Sequence, residues 1–379
     1  MSDKPPYQES RQIKLLTLAS GDLWAGAEAV VHQIAAGLLG NPSIRHTVAL
    51  LNHGRLETLC SQAGIDTRVI DESRHGFSAI LAKLVAICRA VKPDIIHAHR
   101  YKENLLAAIA AMACGRPRLI TTVHGLSEGM NSTFKGMMKS ALNRFLMRRM
   151  FDMTVAVSND IAISLSERSG VPSKRLATIV NGIDVHNGFP KKTRTLVDTF
   201  TIGSAGRLFP VKDFSIMVDI ARMTCAARTK ARFVLAGDGP EKDVILHRIR
   251  TNGLEDHFTL LGHVDDMQDF YAGLDIYINT SIHEGIPMTV LEAMARRIPV
   301  VAFAVGGLNE IVSHGHDGYL VQHRDAGEFS QYLIELIDDR DRLQRFGDNA
   351  GSTVHKRFST TRMTESYCSA YTRLLGNRS

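Results

Sequence analysis

The sequence predicts an α/β protein of two domains, each a parallel sheet with helices on both faces. Three observations carry this. The chain has 379 residues, more than one ordinary core accommodates. Short apolar runs alternate with amphipathic helical patterns along it, the pattern of successive βαβ units. The alternation is broken by a polar stretch, Val185 to Thr199, which holds Lys191-Lys192, lacks clear periodicity and reads as a linker.

In the first half, Ile13 to Ser20 reads as a buried strand, Gly21 to Gly26 as a loop and Ala27 to Leu39 as an apolar-faced helix. Then come strand His46–Asn52, helix Leu56–Ala63, strand Thr67–Ile70, helix Phe77–Val91, strand Pro93–His99, helix Asn104–Cys114 and strand Arg118–Val123. Side chains alternate along a strand, so His97 and His99 share one face. No third ligand or carboxylate cluster follows them, which disfavours a metal site. His124 stands at the C-terminal end of a strand, the edge where open α/β sheets bind ligands. Met153 to Ser158 is a strand, and the helix Asn159–Ser169 begins at a cap, Ser158 or Asn159. Leu176 to Val180 is a strand that ends in the turn Asn181-Gly182-Ile183-Asp184.

The second half opens with a strand–loop–helix unit from Thr201 to Asp213. Its small residues, Gly206 among them, permit close approach of the backbone to a ligand. Arg207 and Lys212 place two cations beside the loop, the one a fork of donors and the other a point charge, as a diphosphate requires. Ala231 to Ala236 is a strand that leaves through Gly237-Asp238-Gly239-Pro240; the third glycine of a dinucleotide fingerprint is missing. Asp275 to Ser281 is a buried strand, followed by a loop with Glu284, Gly285, Ile286 and Pro287 and a helix with Glu292. Pro287 fits the first helical position, where a missing N–H costs nothing. The unpaired N–H groups of such a helix start favour phosphate. Glu292 can accept hydrogen bonds from two vicinal hydroxyls, such as those of a ribose. Pro299 to Ala304 and Gly318 to Val321 are further strands, and the remainder is helical by pattern. The single D-x-D, Asp339-Arg340-Asp341, lies in a charged helical stretch and reads as solvated surface.

The block from His283 to Ala295 resembles the signature of retaining glycosyltransferases of family 4, which have the GT-B fold. The resemblance covers nearly the whole chain and is strongest from Gly203 to Val312. It implies two Rossmann-like domains with sheets facing across a cleft, here 1–186 on the acceptor side and 187–358 on the donor side, with 359–379 crossing back to the first. Glu284 and Glu292 occupy the positions that face the donor sugar and bind the nucleotide ribose. Arg207 and Lys212 match the pair that binds the donor diphosphate, and His124 matches a histidine directed at the donor sugar. Gly206, Gly237, Gly285, Ile286 and Pro287 complete the donor site. Ala25-Gly26-Ala27-Glu28 resembles a Gly-Gly-Ala-Glu element, with Ala25 in place of the first glycine and the Gly26 backbone near the phosphates. A positive φ at Ala25 would be strained. Asn181 to Asp184 matches a domain-junction element, and Glu310 a recurrent position with a hydrogen-bonding role.

The implied activity is retaining transfer of a hexose-type sugar from a nucleotide-diphosphate sugar to an acceptor hydroxyl, catalysed with His124, Glu284, Arg207 and Lys212. No cofactor or divalent metal is expected. The acceptor is a glycan or lipid-linked molecule, in cell-surface polysaccharide or lipid-linked glycan assembly. Two other activities fit this architecture: a sugar-nucleotide epimerase and a non-catalytic nucleotide-sugar-binding scaffold. Incomplete glycine fingerprints disfavour a dehydrogenase.

The formal charge of +6 favours anionic partners, but no nucleic-acid-binding signature is evident. The five cysteines are scattered, without C-x-x-C pairing, and read as reduced thiols. No apolar run reaches membrane-spanning length, and Met1 to Arg11 lacks the apolar core of a secretory signal, so cytoplasmic residence is expected. Phe134 to Met150 combines bulky apolar residues at helical spacing with basic residues and no acid. It reads either as a helix docking on an anionic membrane surface at the inner face of the cell membrane, or as one packing its Met/Leu face on the sheet.

Overall fold

The computed structural model describes residues 12–22, 24–125, 133–185 and 199–376. The segment Met1–Arg11 and most of the expected linker, 186–198, lie outside the described residues. The chain forms two compact units. One comprises Met1–Ala156, Ala162–Ile179 and Met363–Ser379, the other Val157–Ile161 and Val180–Arg362.

The first half of the chain runs β1 (Ile13–Ala19), α1 (Gly26–Leu38), β2 (Ile44–Leu50), α2 (Arg55–Gln62), β3 (Asp66–Val69), α3 (Phe77–Val91), β4 (Ile95–Ala98), α4 (Tyr101–Ala113), β5 (Arg118–Val123), α5 (Phe134–Arg149), β6 (Met153–Ala156), α6 (Asn159–Glu167) and β7 (Leu176–Thr178). The described strands form one parallel sheet of order β3-β2-β1-β4-β5-β6-β7. Strands buried on both faces are apolar at consecutive positions rather than alternate ones. β1 and β2 show this: Leu16, Leu18, Ala49 and Leu51 join one cluster with Leu84 and Leu106, while Ala19, Val48 and Leu50 join another with Val31 and Ala35.

The second half runs β8 (Phe200–Ala205), α7 (Phe214–Ala227), β9 (Ala231–Ala236), α8 (Lys242–Thr251), β10 (Phe258–Gly262), α9 (Met267–Ala272), β11 (Ile276–Asn279), α10 (Met288–Ala295), β12 (Val300–Phe303), α11 (Leu308–Ile311), β13 (Gly318–Val321), α12 (Ala326–Asp338), α13 (Arg340–Arg357) and α14 (Thr360–Gly376). Its described strands form a parallel sheet of order β10-β9-β8-β11-β12-β13. The core holds Phe233 stacked on Phe258 at 6.0 Å and Phe303 edge-on to Phe329 at 5.0 Å. Truncating one such ring to Ala costs about 3–5 kcal/mol.

From Met363 onward α14 belongs to the first unit. Its Tyr371 and Tyr367 are fully buried there: the Tyr371 hydroxyl lies 2.9 Å from His97 Nδ1, and that of Tyr367 3.0 Å from Thr122 Oγ1.

In both sheets the strand order reverses beside the first strand, between β1 and β4 and between β8 and β11. Loops leaving the carboxyl ends of two such strands diverge to opposite faces and leave a crevice. This topology selects which loops form each site.

One local reading changes and another gains a detail. Pro287 is the N-cap of α10, not its first helical residue: with φ −72° and ψ 119° its ψ is extended, and its carbonyl accepts from Val290 and Leu291. Asp339, in the D-x-D, is the N-cap of α13, accepting from Arg342 N–H at 2.8 Å, with its carboxylate 3.2 Å from the Arg342 guanidinium.

Candidate functional site

In the second unit the loops after β8 and β11 meet because their strands are neighbours. Lys212 and Glu284 are far apart in sequence, yet Lys212 Nζ donates to Glu284 Oε1 at 2.5 Å. The same oxygen accepts from Ser281 Oγ at 2.7 Å and Asn279 Nδ2 at 3.3 Å. Glu284 is buried, and burial alone would raise its pKa; Lys212, then Ser281 and Asn279, outweigh burial and hold the carboxyl below its ordinary value. The loop is braced from behind by Arg324, which donates to Ser281 O at 2.9 Å and to Asp213 Oδ2 at 2.5 Å. Asp213 in turn caps α7.

Gly206 and Gly237 are in backbone contact. A Cβ on Gly237 would lie 1.9 Å from Gly206 O, and Gly237 has φ +147°, so both sterics and conformation require glycine. Gly285 is packed as tightly against Gly307, whose Cβ would lie 1.9 Å from Gly285 O. Arg207 is exposed, its guanidinium 5.0 Å from the centre of the Phe209 ring. Gly285, Ile286 and Pro287 are buried, and Ile286 O accepts from Asn181 Nδ2 at 3.0 Å. Glu292, half-buried on α10, accepts from the Tyr271 hydroxyl at 2.8 Å.

In the first unit the reversal between β1 and β4 places Gly26, the first residue of α1, near the residues that follow β4. Ala25 has φ −139°, an extended conformation open to any residue, so its replacement of glycine carries no strain. Glu28 is buried and paired with Arg100 Nη2 at 2.6 Å. Burial raises its pKa against the opposing charge of Arg100. Nearby on α4, burial pushes Glu103 up to about 7. His124 follows β5, and its Nε2 lies 3.0 Å from His99 Nδ1. His99 stacks on the His124 ring and lies against His97 with ring centres 4.2 Å apart, tilted by 31°. Burial, with the Arg100 charge added, lowers His124 to about 3, so its imidazole is neutral and offers one N–H and one lone pair.

Among the described residues no group of three His, Cys, Asp or Glu is arranged to hold a metal ion. The histidines instead form a hydrogen-bonded and stacked run. Local sequence pattern marks Glu28 only as part of the Ala25–Glu28 element and does not single out Arg100, Glu103, Tyr271 or Arg324. Their chemistry lies in partners distant along the chain, which no local pattern marks.

Two family models match the chain back to back, Glycosyltransferase Family 4 over residues 24–187 and Glycosyl transferases group 1 over residues 188–353. The chain is a glycosyltransferase that resembles family 4 along most of its length. It is 26% identical over 304 residues to the N-acetyl-alpha-D-glucosaminyl L-malate synthase of Bacillus anthracis, covering 77% of this chain and 78% of that enzyme. It is 25% identical over 312 residues to the UDP-Gal:alpha-D-GlcNAc-diphosphoundecaprenol alpha-1,3-galactosyltransferase of Escherichia coli, covering 75% and 80%. Anabaena HepE, solved with UDP and glucose, superposes with a TM-score of 0.83 at 23% identity over 96% of this chain and 100% of that one. That likeness shows the shared fold. The Glu310 carboxylate accepts from Asn159 N at 2.7 Å and Asn159 Nδ2 at 2.9 Å at the start of α6.

Proposed function

We propose that this glycosyltransferase moves a hexose-type sugar from a UDP-sugar to a hydroxyl of a glycan or lipid-linked acceptor, retaining the anomeric configuration and using no metal ion. The observation that carries the reading is the Lys212–Glu284 contact at the β8/β11 reversal, which presents an ionised carboxylate and a cation together at a sheet's ligand-binding edge. The uracil base is proposed because the Escherichia coli relative is named for UDP-Gal and HepE was solved with UDP and with UDP-glucose.

In this reading Arg207 and Lys212 offset the charge of the departing diphosphate. Glu284 accepts from sugar hydroxyls and Glu292 from the ribose. The acceptor oxygen attacks the anomeric carbon on the face the diphosphate leaves: the bond to the β-phosphate oxygen breaks, the new glycosidic bond forms, and the acceptor proton passes to the departing phosphate. The products are UDP and the α- or β-glycoside that matches the donor.

Thermal shift with UDP, GDP and ADP tests the donor site first. Selective stabilisation by UDP, lost in Glu292→Ala and Arg207→Ala, is expected; no stabilisation at millimolar concentration by any of them sinks the assignment. NMR of the product reports retention, and undiminished turnover in EDTA reports metal independence. Donor conversion without any acceptor would establish an epimerase instead, and binding without turnover on any acceptor a scaffold.

We also propose that α5 docks on an anionic bilayer. Leu146, Met147 and Gly136 are its buried face. Phe134, Met137, Met138, Leu142 and Phe145 are exposed, Phe134 at 77% and Phe145 at 55%. At 100° per residue Phe134, Met138 and Phe145 fall within one narrow stripe, with Lys135 and Arg149 on one side and Arg144 and Arg148 on the other. An apolar stripe between basic flanks fits the acyl–headgroup boundary, each cation adding about 1 kcal/mol near an anionic surface. No described helix is long and apolar enough to cross a membrane. Co-sedimentation with phosphatidylglycerol vesicles, but not with phosphatidylcholine alone, and its loss in Phe134→Ser/Phe145→Ser, are the expected results. Absence of binding to phosphatidylglycerol at low salt would end this reading.

A further inference from the structure

We propose that Tyr271 is a positioning residue for Glu292, and that the two together set preference for a ribonucleotide over a deoxyribonucleotide donor. The proposal rests on the reading of Glu292 as the ribose contact.

Tyr271 lies on α9 and is 1% exposed. A buried phenol has one proton to place and loses stability if it is left unpaired. Two acceptors are in reach, Glu292 Oε2 at 2.8 Å and Thr289 O at 3.2 Å, both on α10. The carboxylate oxygen is nearer and charged, so it takes the stronger bond. Burial and the Glu292 charge both raise the phenol pKa, which keeps Tyr271 a donor at any working pH.

The bond has a consequence for the ligand. Glu292 has three side-chain torsions and sits half-buried on a helix face, where an unanchored carboxylate samples several rotamers. Two vicinal hydroxyls require acceptors in one fixed orientation. With Oε2 held from behind, the carboxylate plane is set before the ribose arrives. Arg296 closes the arrangement: its guanidinium lies 4.7 Å from the centre of the Tyr271 ring, and its Nη1 donates to Glu292 O at 2.9 Å. The cation thus clamps the ring and favours the ionised carboxylate.

The test is calorimetric binding of UDP, 2′-deoxy-UDP and 3′-deoxy-UDP to the full chain as wild type, Tyr271→Phe, Glu292→Gln and the double variant. The wild type is expected to favour UDP by roughly tenfold or more over the deoxy analogues. Glu292→Gln should remove that preference. Tyr271→Phe should remove most of it, while changing 2′-deoxy-UDP affinity by less than about twofold. The double variant should be no less selective than Glu292→Gln alone, because both act through one carboxylate. If Tyr271→Phe keeps the wild-type ratio while Glu292→Gln abolishes it, Tyr271 only packs and the proposal is overturned. Equal weakening of all three nucleotides by Tyr271→Phe overturns it as well, since that is the mark of general disruption. A Glu292→Gln variant that keeps the wild-type ratio, or a wild type with no preference, instead overturns the ribose role of Glu292. Should Tyr271→Phe fail to fold, Arg296→Leu, which removes the clamp but leaves the phenol, is expected to lower the ratio part-way; an unchanged ratio there overturns the proposal.

Discussion

Replacing Lys212 with Met tests the electrostatics of the candidate site before any substrate is known. In the wild type Glu284 Oε1 accepts from Lys212, Ser281 and Asn279 at 2.5, 2.7 and 3.3 Å. Removing Lys212 leaves a buried carboxylate with neutral partners only. Breaking a fully buried pair costs about 3–5 kcal/mol. The Lys212 side chain is 23% exposed and that of Glu284 10%, so a discounted cost of about 2–3 kcal/mol is expected near pH 7.5. For a unit of this size that is roughly a 4–12 °C fall in melting temperature. The loss must depend on pH. In the wild type the folded pKa of Glu284 lies below its unfolded value, so its stabilising contribution is present above the unfolded value of 4.5 and is lost as pH falls through the folded pKa. Without Lys212, burial is opposed only by Ser281 and Asn279, so the folded pKa is expected to rise and ionisation to stabilise the variant less than the wild type. The gap between wild type and variant therefore widens from pH 4.5 to pH 7.5. Urea denaturation of both proteins across that range, with Lys212→Met/Glu284→Gln as a third, is the assay. The double variant should lie closer to wild type than Lys212→Met does, since it leaves no buried charge. An equal loss at both ends of the pH range would refute the reasoning.

Gly237→Ala should destabilise by about 2 kcal/mol or more and weaken UDP binding, because its Cβ would meet Gly206 O at 1.9 Å and its φ is +147°; differential scanning calorimetry with and without UDP checks both. Tyr371→Phe should cost about 1–3 kcal/mol by leaving His97 Nδ1 without its hydroxyl partner, and a urea midpoint unchanged within error would contradict it. Burial lowers His46 to about 4 and His97 and His124 to about 3, all below the ordinary value of 6.5. Stability should thus be full above pH 6.5 and fall as pH drops below it, by up to about 1.4 kcal/mol per pH unit for each histidine; a flat profile from pH 6.5 to 5 would count against these neutral imidazoles.

Features written in consecutive residues were legible in the sequence. β5, β9, β13 and α3 fall where the apolar pattern puts them, and other elements lie within a few residues, because a strand or helix repeats over a short span. The loop glycines and the charged residues of the family block were legible for the same reason. Local pattern failed where a residue had two local uses. Pro287 fits a helix start as first residue or as cap, and only the ψ adopted in the packed loop decides. Asp339 is a surface charge as its pattern reads, 40% exposed, and also caps α13.

The helix of 134–150 shows the limit most clearly. Its periodicity announces apolar residues on a helix but does not say which of them meet the sheet. The structure buries Leu146 and Met147 and leaves Phe134, Met138 and Phe145 outside, and Asn143 of the same helix accepts from Asn104 of α4 at 2.9 Å.

By itself, then, the sequence determined the two parallel α/β units, the loops that bear the chemistry and the residue types in them, all properties of short contiguous segments. The tertiary structure alone decided that Lys212 neutralises Glu284, that Tyr271 holds Glu292, that Arg100 pairs with Glu28 and that His97 is bonded to a tyrosine of the last helix. Each of these pairs joins separate elements. The first and third meet because strand order brings β8 beside β11 and β1 beside β4, the second joins the helices on either side of β11, and the fourth joins β4 to α14; burial then makes an unpaired polar group costly enough that its partner is fixed.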